Sequence, residues 1–340
     1  VNAEMHDRLG LYFYILCGKV IYTMRIHTIL LPTRPQPDTV VAIFLLQEFG
    51  KEAFPGIETA QIKIEANLSS SDSFESLLQE GKLAIDVGGG IFDHHNTGQC
   101  ASDLIATYFS IEEDPALQQL LTYARRDDQE GKGTLSSDPI DRAFGLSGLI
   151  SALNKLHVHN PQETVTTALP LVRAHYASAR EHHTELPREV EAKKLTGDYV
   201  QMFAQQQKKK LSVAYVISDK PSMPTYLRSF RGQRVDIVVQ KLENSNHISI
   251  LTKQDRKVDL SKTMAFIRLR EAQLQNVELS DESEYIQKTG RIDEVPYWYY
   301  DPATNSLLNG SPHNRSVKES LIPWEEMKKI VRAGIEMDLT

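Results

Sequence analysis

Cysteine is nearly missing: the 340 residues hold two, Cys17 and Cys100. That count excludes a disulfide framework and any cysteine-based zinc module, and it fits a reducing, cytoplasmic setting. An excess of positive charge is missing too. Lys and Arg number 38 against 45 Asp and Glu, for a net charge of −7. The chain as a whole is therefore no polyanion-coating protein, and nucleic-acid binding would need a local basic patch. No apolar run reaches the roughly 18–20 residues of a membrane span; the nearest, residues 9–24, is interrupted by Lys19. The same run fails as a signal peptide, because Glu4 and Asp7 offset Arg8 and no small-residue cleavage site follows. It reads as an extra N-terminal strand or helix, or as a segment upstream of a natural start at Met24. Also missing are a P-loop, a G-x-G-x-x-G fingerprint, a G-x-S-x-G elbow and any paired Cys/His arrangement, which excludes the chemistries built on them.

What is there alternates between strand and helix. Residues 26–31 (IHTILL) read as a buried strand, and after the proline-rich TRPQP residues 39–49 read as an apolar helix ending near Gly50. Residues 60–66 and 83–87 carry further strand patterns, which together predict βαβ units and a mainly parallel sheet. Helical patterns follow over 102–126 and 140–156. Residues 162–210 are rich in Glu, Ala, Gln and Lys and read as one or two long helices ending in the solvated run QQQKKK. A second β-rich region begins at Leu211, a helix is expected over 260–275, and WYYD with LLNGS predicts a hairpin closed by a tight Asn-Gly turn. The organisation is thus α/β: an extension over 1–23, a first domain over 24–165, a helical linker over 166–210 and a smaller α/β lobe over 211–340.

Chemistry concentrates in residues 84–96, AIDVGGGIFDHHN. Asp86 ends a strand, three glycines allow a close turn, and Asp93, His94 and His95 follow. Carboxylate oxygen with imidazole is a donor set for Mn²⁺ or Mg²⁺, and glycine permits the positive φ that folds such a loop back on itself. Neighbouring side chains on an extended segment face opposite ways, so one of His94 and His95 is expected on the metal and the other on substrate or a supporting carboxylate.

The segment IDVGGGIFDHH resembles the DHH phosphoesterase superfamily of RecJ-type exonucleases, small-oligonucleotide nucleases and family II pyrophosphatases, and looks closest to its Myg-type nuclease relatives. The order of elements agrees over roughly residues 26–160. The resemblance implies that Asp86 is a ligand, with Asp93-His94-His95 as the superfamily's triplet and Asp93 supporting it from behind. It also implies a later ligand, for which Asp127 and Asp128 are both candidates. Asp38, opening the helix DTVVAIFLL, matches the last aspartate of the first motif. The remaining ligand positions of that motif hold Gln36 and no histidine, so one cation is favoured over two. Arg34 would then stand in for the lost positive charge and, with His95, address phosphate.

In the second lobe, Asn246 and His247 occupy a turn that would present donors to a substrate phosphate, or be a bare hairpin turn. Arg228 and Arg231 make their stretch locally basic. The function expected is a metal-dependent phosphoesterase whose site lies between the domains, acting on a nucleotide or short oligonucleotide. Its partners would be that substrate and, optionally, a second copy of the chain in a homodimer, with no membrane. The rivals are a catalytically degenerate scaffold of the same fold that binds a nucleotide or a protein, and a metal-dependent amidohydrolase-like activity.

Overall fold

The computed structural model describes residues 4–6, 12–16, 19–22, 25–31, 34–65, 68, 73–88, 90–95, 98–131, 133–280, 282–311 and 313–337. Cys17, Met24 and Gly89 lie outside them. The chain is mixed α/β and divides into two compact units, residues 1–181 and 182–340, each taken here by itself. Among the described residues no helix is long and apolar enough to cross a membrane.

The first unit holds an antiparallel sheet of β1 (Glu4–His6), β2 (Tyr12–Leu16) and β3 (Lys19–Tyr22), so the described part of the N-terminal apolar run is strand. A parallel sheet follows, in which β4 (Thr28–Leu31) lies between β5 (Gln61–Ile64) and β6 (Lys82–Ala84). All four residues of β4 are buried, which is why its sequence is continuously apolar rather than alternating. Helix α1 (Pro37–Phe49) connects β4 to β5. Pro37 sits at its first position, where no amide hydrogen is needed, and the Thr39 hydroxyl accepts from the Gln36 amide at 2.8 Å. Residues 37–47 of α1 are all buried, because α3, α4 and α7 pack around it.

Helix α2 (Phe74–Gln79) precedes β6, and α3 (Ala101–Phe109), α4 (Gln118–Glu130), α5 (Pro139–Phe144), α6 (Leu146–Leu156) and α7 (Gln162–Arg180) follow it. The helical pattern over 102–126 is therefore two helices, not one: Ser110 turns left-handed at φ 55° and Pro115 follows within the connection. Cys100, just before α3, is a free, buried thiol whose pKa burial pushes far up, so it is inert.

The second unit holds a mixed six-stranded sheet in the order β11-β12-β10-β9-β8-β7. After α8 (Leu186–Thr196) come β7 (Tyr199–Gln206), β8 (Lys209–Ile217), α9 (Met223–Arg228), β9 (Ile237–Lys241) and β10 (Ile248–Thr252). Then come α10 (Ser261–Gln275), α11 (Ser283–Ile286), β11 (Tyr299–Asp301), β12 (Ser306–Asn309) and α12 (Trp324–Glu336). Only the β8–β9 pair is parallel.

Two expectations are corrected here. The helical stretch stops at Thr196, where Gly197 at φ +81° ends it, and QQQKKK belongs to the β7–β8 hairpin. Residues 207–210, at the hairpin turn and the start of β8, are exposed, so this polar run imitated a solvated helix end. The Asn-Gly pair does not close the β11–β12 hairpin, whose turn spans residues 302–305. Asn309 is instead fully buried and donates to the carbonyls of Tyr297 and Lys318. Helix α10 carries two fully buried ions. Arg268 donates to the carbonyls of Ile286, Lys288 and Gly290. Glu271 accepts from Tyr297, Trp298, the Ser320 hydroxyl and the Leu321 amide.

Candidate metal centre

The loop after β6 builds the centre. Asp86 stands two residues beyond the strand with φ +58°, a conformation that Asp and Asn reach more readily than most residues. Its amide donates to the Phe92 carbonyl at 3.0 Å and so closes the glycine turn. Gly88 turns at φ +82°, and a Cβ on Gly90 would meet the Phe74 ring at 2.9 Å. The turn needs glycine at both positions.

Closure returns the triplet to Asp86. His94 Nε2 lies 2.6 Å from Asp86 Oδ1 and its Nδ1 lies 3.8 Å from Asp128 Oδ2. Asp86 Oδ1 is buried, with the His94 and His95 rings as its near partners. A buried carboxylate is costly unless a cation meets it. Asp38, 2% exposed, comes from the first turn of α1. Its two oxygens accept the Ala101 and Ser102 amides at 2.9 Å each, capping α3 from across the unit. Cys100, at the N-cap itself, provides no side-chain cap. Each oxygen of Asp38 keeps a second lone pair. Ligand atoms of Asp38, His94 and Asp128 lie within 4.8 Å of one another, as do those of Asp86, His94 and His95.

The electrostatics agree with a cation site. Burial raises the pKa of Asp86, His94 opposes that, and the Asp38 charge adds to the rise. Burial likewise raises Asp128, again with Asp38 adding to it. Three carboxylates gathered in a partly buried place carry more negative charge than one imidazole can balance. Oxygen donors with one imidazole suit Mn²⁺ or Mg²⁺, so the residues present fit such an ion.

The other candidates fall into place around this centre. On α4, adjacent residues lie about 100° apart, and Asp127 faces away from the cluster. Its Oδ1 accepts from the Gly133 amide at 3.1 Å and from the Ser147 hydroxyl, leaving Asp128 as the member of the pair that meets His94. His95 is not turned to the opposite face, as an extended segment would require. The segment is irregular, and the two rings stack at 5.1 Å between centroids with 24° between planes. They differ in burial and partner instead. The His95 side chain is 65% exposed, and Asp93 holds its Nδ1 at 2.6 Å and raises its pKa through that hydrogen bond. Arg34 is exposed and lines a cavity of about 660 Å³ beside the N-terminus of α1.

In the second unit, Asn246 and Arg228 tie elements of the framework together. Asn246 donates its side-chain amide to the carbonyls of Ser320 and Ile322 at 2.7 and 2.9 Å. Arg228 donates to the carbonyls of Pro224 and Thr252. His247 is enclosed at 3% exposure beneath Gly310, and Arg231 is exposed with Nη1 3.0 Å from His183 Nδ1. The capping of α3 by Asp38 had no sequence signal, because donor and acceptor stand 63 and 64 residues apart. No family model and no curated protein matches the chain, so the centre stands on its own residues.

Proposed function

We propose that the chain is a metal-dependent phosphoesterase of the DHH kind, acting on a phosphodiester or phosphoanhydride of a nucleotide or short oligonucleotide. Two overlapping groups that share His94, one with Asp38 and Asp128 and one with Asp86 and His95, carry the proposal. Asp38, Asp86, His94 and Asp128 would hold one Mn²⁺ or Mg²⁺. When bound, such an ion polarises a phosphoryl oxygen and acidifies a coordinated water. Asp93 fixes His95 through Nδ1 and favours its protonated ring, so Nε2 becomes an exposed N–H donor for a phosphate or leaving-group oxygen. The Arg34 guanidinium adds a positive charge suited to two-point phosphate binding.

One observation favours a second reading, a scaffold that binds but does not hydrolyse. Gln36 stands where the resemblance expects a further ligand, and it is exposed at the start of α1 with no histidine beside it. Purified protein with Mn²⁺ would be offered bis-p-nitrophenyl phosphate, cyclic dinucleotides and short RNA beside the Asp86→Asn and His94→Ala variants. Turnover lost in both variants supports the enzyme. Mn²⁺ binding with no turnover above the variants supports the scaffold, and absence of Mn²⁺ binding refutes the centre itself.

A further inference from the structure

We infer that Arg125 is a positioning residue of the metal centre: its two-point grip on Asp103 sets the rotation of α4 that brings Asp128 to His94. The assignment rests on the metal-dependent proposal above, and it gives a role to a residue outside the ligand set.

Asp128 belongs to α4 whereas His94 follows β6, and their nearest atoms are 3.8 Å apart. Only about 100° of helical rotation separates Asp128 from Asp127, which faces away from the cluster. A modest turn of α4 about its axis therefore takes the Asp128 carboxylate off the imidazole. Arg125 stands three residues before Asp128. The two side chains leave α4 within about 60° of one another and about 4.5 Å apart along its axis. Arg125 Nε donates to Asp103 Oδ2 at 2.8 Å, and Nη2 donates to Asp103 Oδ1 at 2.7 Å. Two parallel hydrogen bonds between planar groups fix orientation as well as distance.

Asp103 lies in the first turn of α3, the same turn whose Ala101 and Ser102 amides are capped by Asp38. Its side chain is 9% exposed. A single turn of helix thus holds Asp38 directly and, through Arg125, the element that carries Asp128. On the other side of Asp128, Gln129 Nε2 donates to the Gly98 carbonyl at 2.8 Å, three residues beyond His95. Asp128 is held between one tie to α3 and another to the triplet's own loop. The Arg125 tie is two-fold and charge-assisted, so it is the stronger.

The test is the Mn²⁺ affinity of the full chain, measured by calorimetric titration well below the melting temperature. Arg125→Gln should weaken Mn²⁺ binding about tenfold, the lower end of the loss seen when a group that orients metal ligands is removed. A role of charge alone has the opposite sign: deleting a cation while Asp103 stays ionised would strengthen Mn²⁺ binding. Arg125→Lys keeps the charge without the two-point geometry and should lose about threefold, half of that free energy. It also carries the comparison if Arg125→Gln does not fold. The structural control is Arg173, whose Nη2 donates to Gln47 Oε1 at 2.6 Å and ties α7 to α1. Arg173→Gln and Arg125→Gln should each lower the melting temperature in EDTA by about 2–4 °C, yet Arg173→Gln should leave Mn²⁺ affinity unchanged. An affinity that is unchanged or raised in Arg125→Gln, or that falls equally in Arg173→Gln, would overturn the positioning role. Wild type that binds no Mn²⁺ is a separate failure, which removes the centre itself and the role of Arg125 with it.

Discussion

Asp38 and Asp86 both approach His94, yet they differ in what else they do, and replacing each by Asn should separate a structural carboxylate from one that awaits a cation. Asp38 accepts two amides of the first turn of α3 at 2.9 Å while almost wholly buried. Hydrogen bonds to a charged group contribute ~1.5–3 kcal/mol each. Asn keeps one acceptor and turns an amide donor against the other N–H. Asp38→Asn should therefore cost about 3 kcal/mol without metal, a fall of roughly 9 °C at the ~2–4 °C per kcal/mol of a unit this size. Asp86 sits in the left-handed region, which Asn tolerates as well as Asp does, and its Oδ1 meets the His94 ring rather than any backbone amide. Asp86→Asn removes a carboxylate whose charge burial disfavours and which only imidazoles face, and in EDTA it should leave stability within about 1 kcal/mol of wild type or above it. With Mn²⁺ at a hundredfold excess over its Kd, wild type should gain ~2.7 kcal/mol, roughly 8 °C, and Asp86→Asn should gain nothing. Calorimetric melts in EDTA and in Mn²⁺ measure all four numbers. Equal losses from the two variants in EDTA, or an undiminished Mn²⁺ shift in Asp86→Asn, would refute the division of roles.

Four further outcomes are expected. Asp128→Asn should abolish the Mn²⁺-induced rise in melting temperature, whereas Asp127→Asn should retain it, because Asp127 is bonded to Gly133 and Ser147 instead. The raised pKa values of Asp86 and Asp128 fix the sign of a pH effect. Their contribution in the metal-free protein is fully present below the ordinary carboxylate range and is lost as pH rises through the raised values. Metal-free stability should fall across that window, and Mn²⁺ affinity, measured by calorimetric titration, should weaken as pH drops back through it. Glu271→Ala strands four donors in the core of the second unit and should cost about 4 kcal/mol. Urea unfolding followed by tryptophan fluorescence reports that unit alone, since Trp298 and Trp324 are the only tryptophans and both lie in it. Asn246→Ala should lower the same midpoint by about 1–3 kcal/mol while leaving Mn²⁺ affinity unchanged; a normal midpoint would show that its two carbonyl contacts contribute nothing.

The sequence by itself determined the parallel β4–β5–β6 arrangement, the largely apolar α1, and the loop in which an aspartate, a glycine turn and Asp-His-His follow one another. These are local signals: periodicity, proline and glycine placement, and donors within ten residues of each other. It misjudged the β7–β8 hairpin, because a Gln- and Lys-rich composition does not distinguish an edge hairpin from a solvated helix. Tertiary structure alone brought Asp128 rather than Asp127 to His94, since 100° of helical rotation has meaning only once α4 is docked against α1. It alone gave Asp38 a second duty at the N-terminus of α3, and it turned Asn246 and Arg228 into ties within the second unit. A side chain's residue type states which bonds it is able to make; which of them it does make depends on backbone groups that folding brings from scores of residues away.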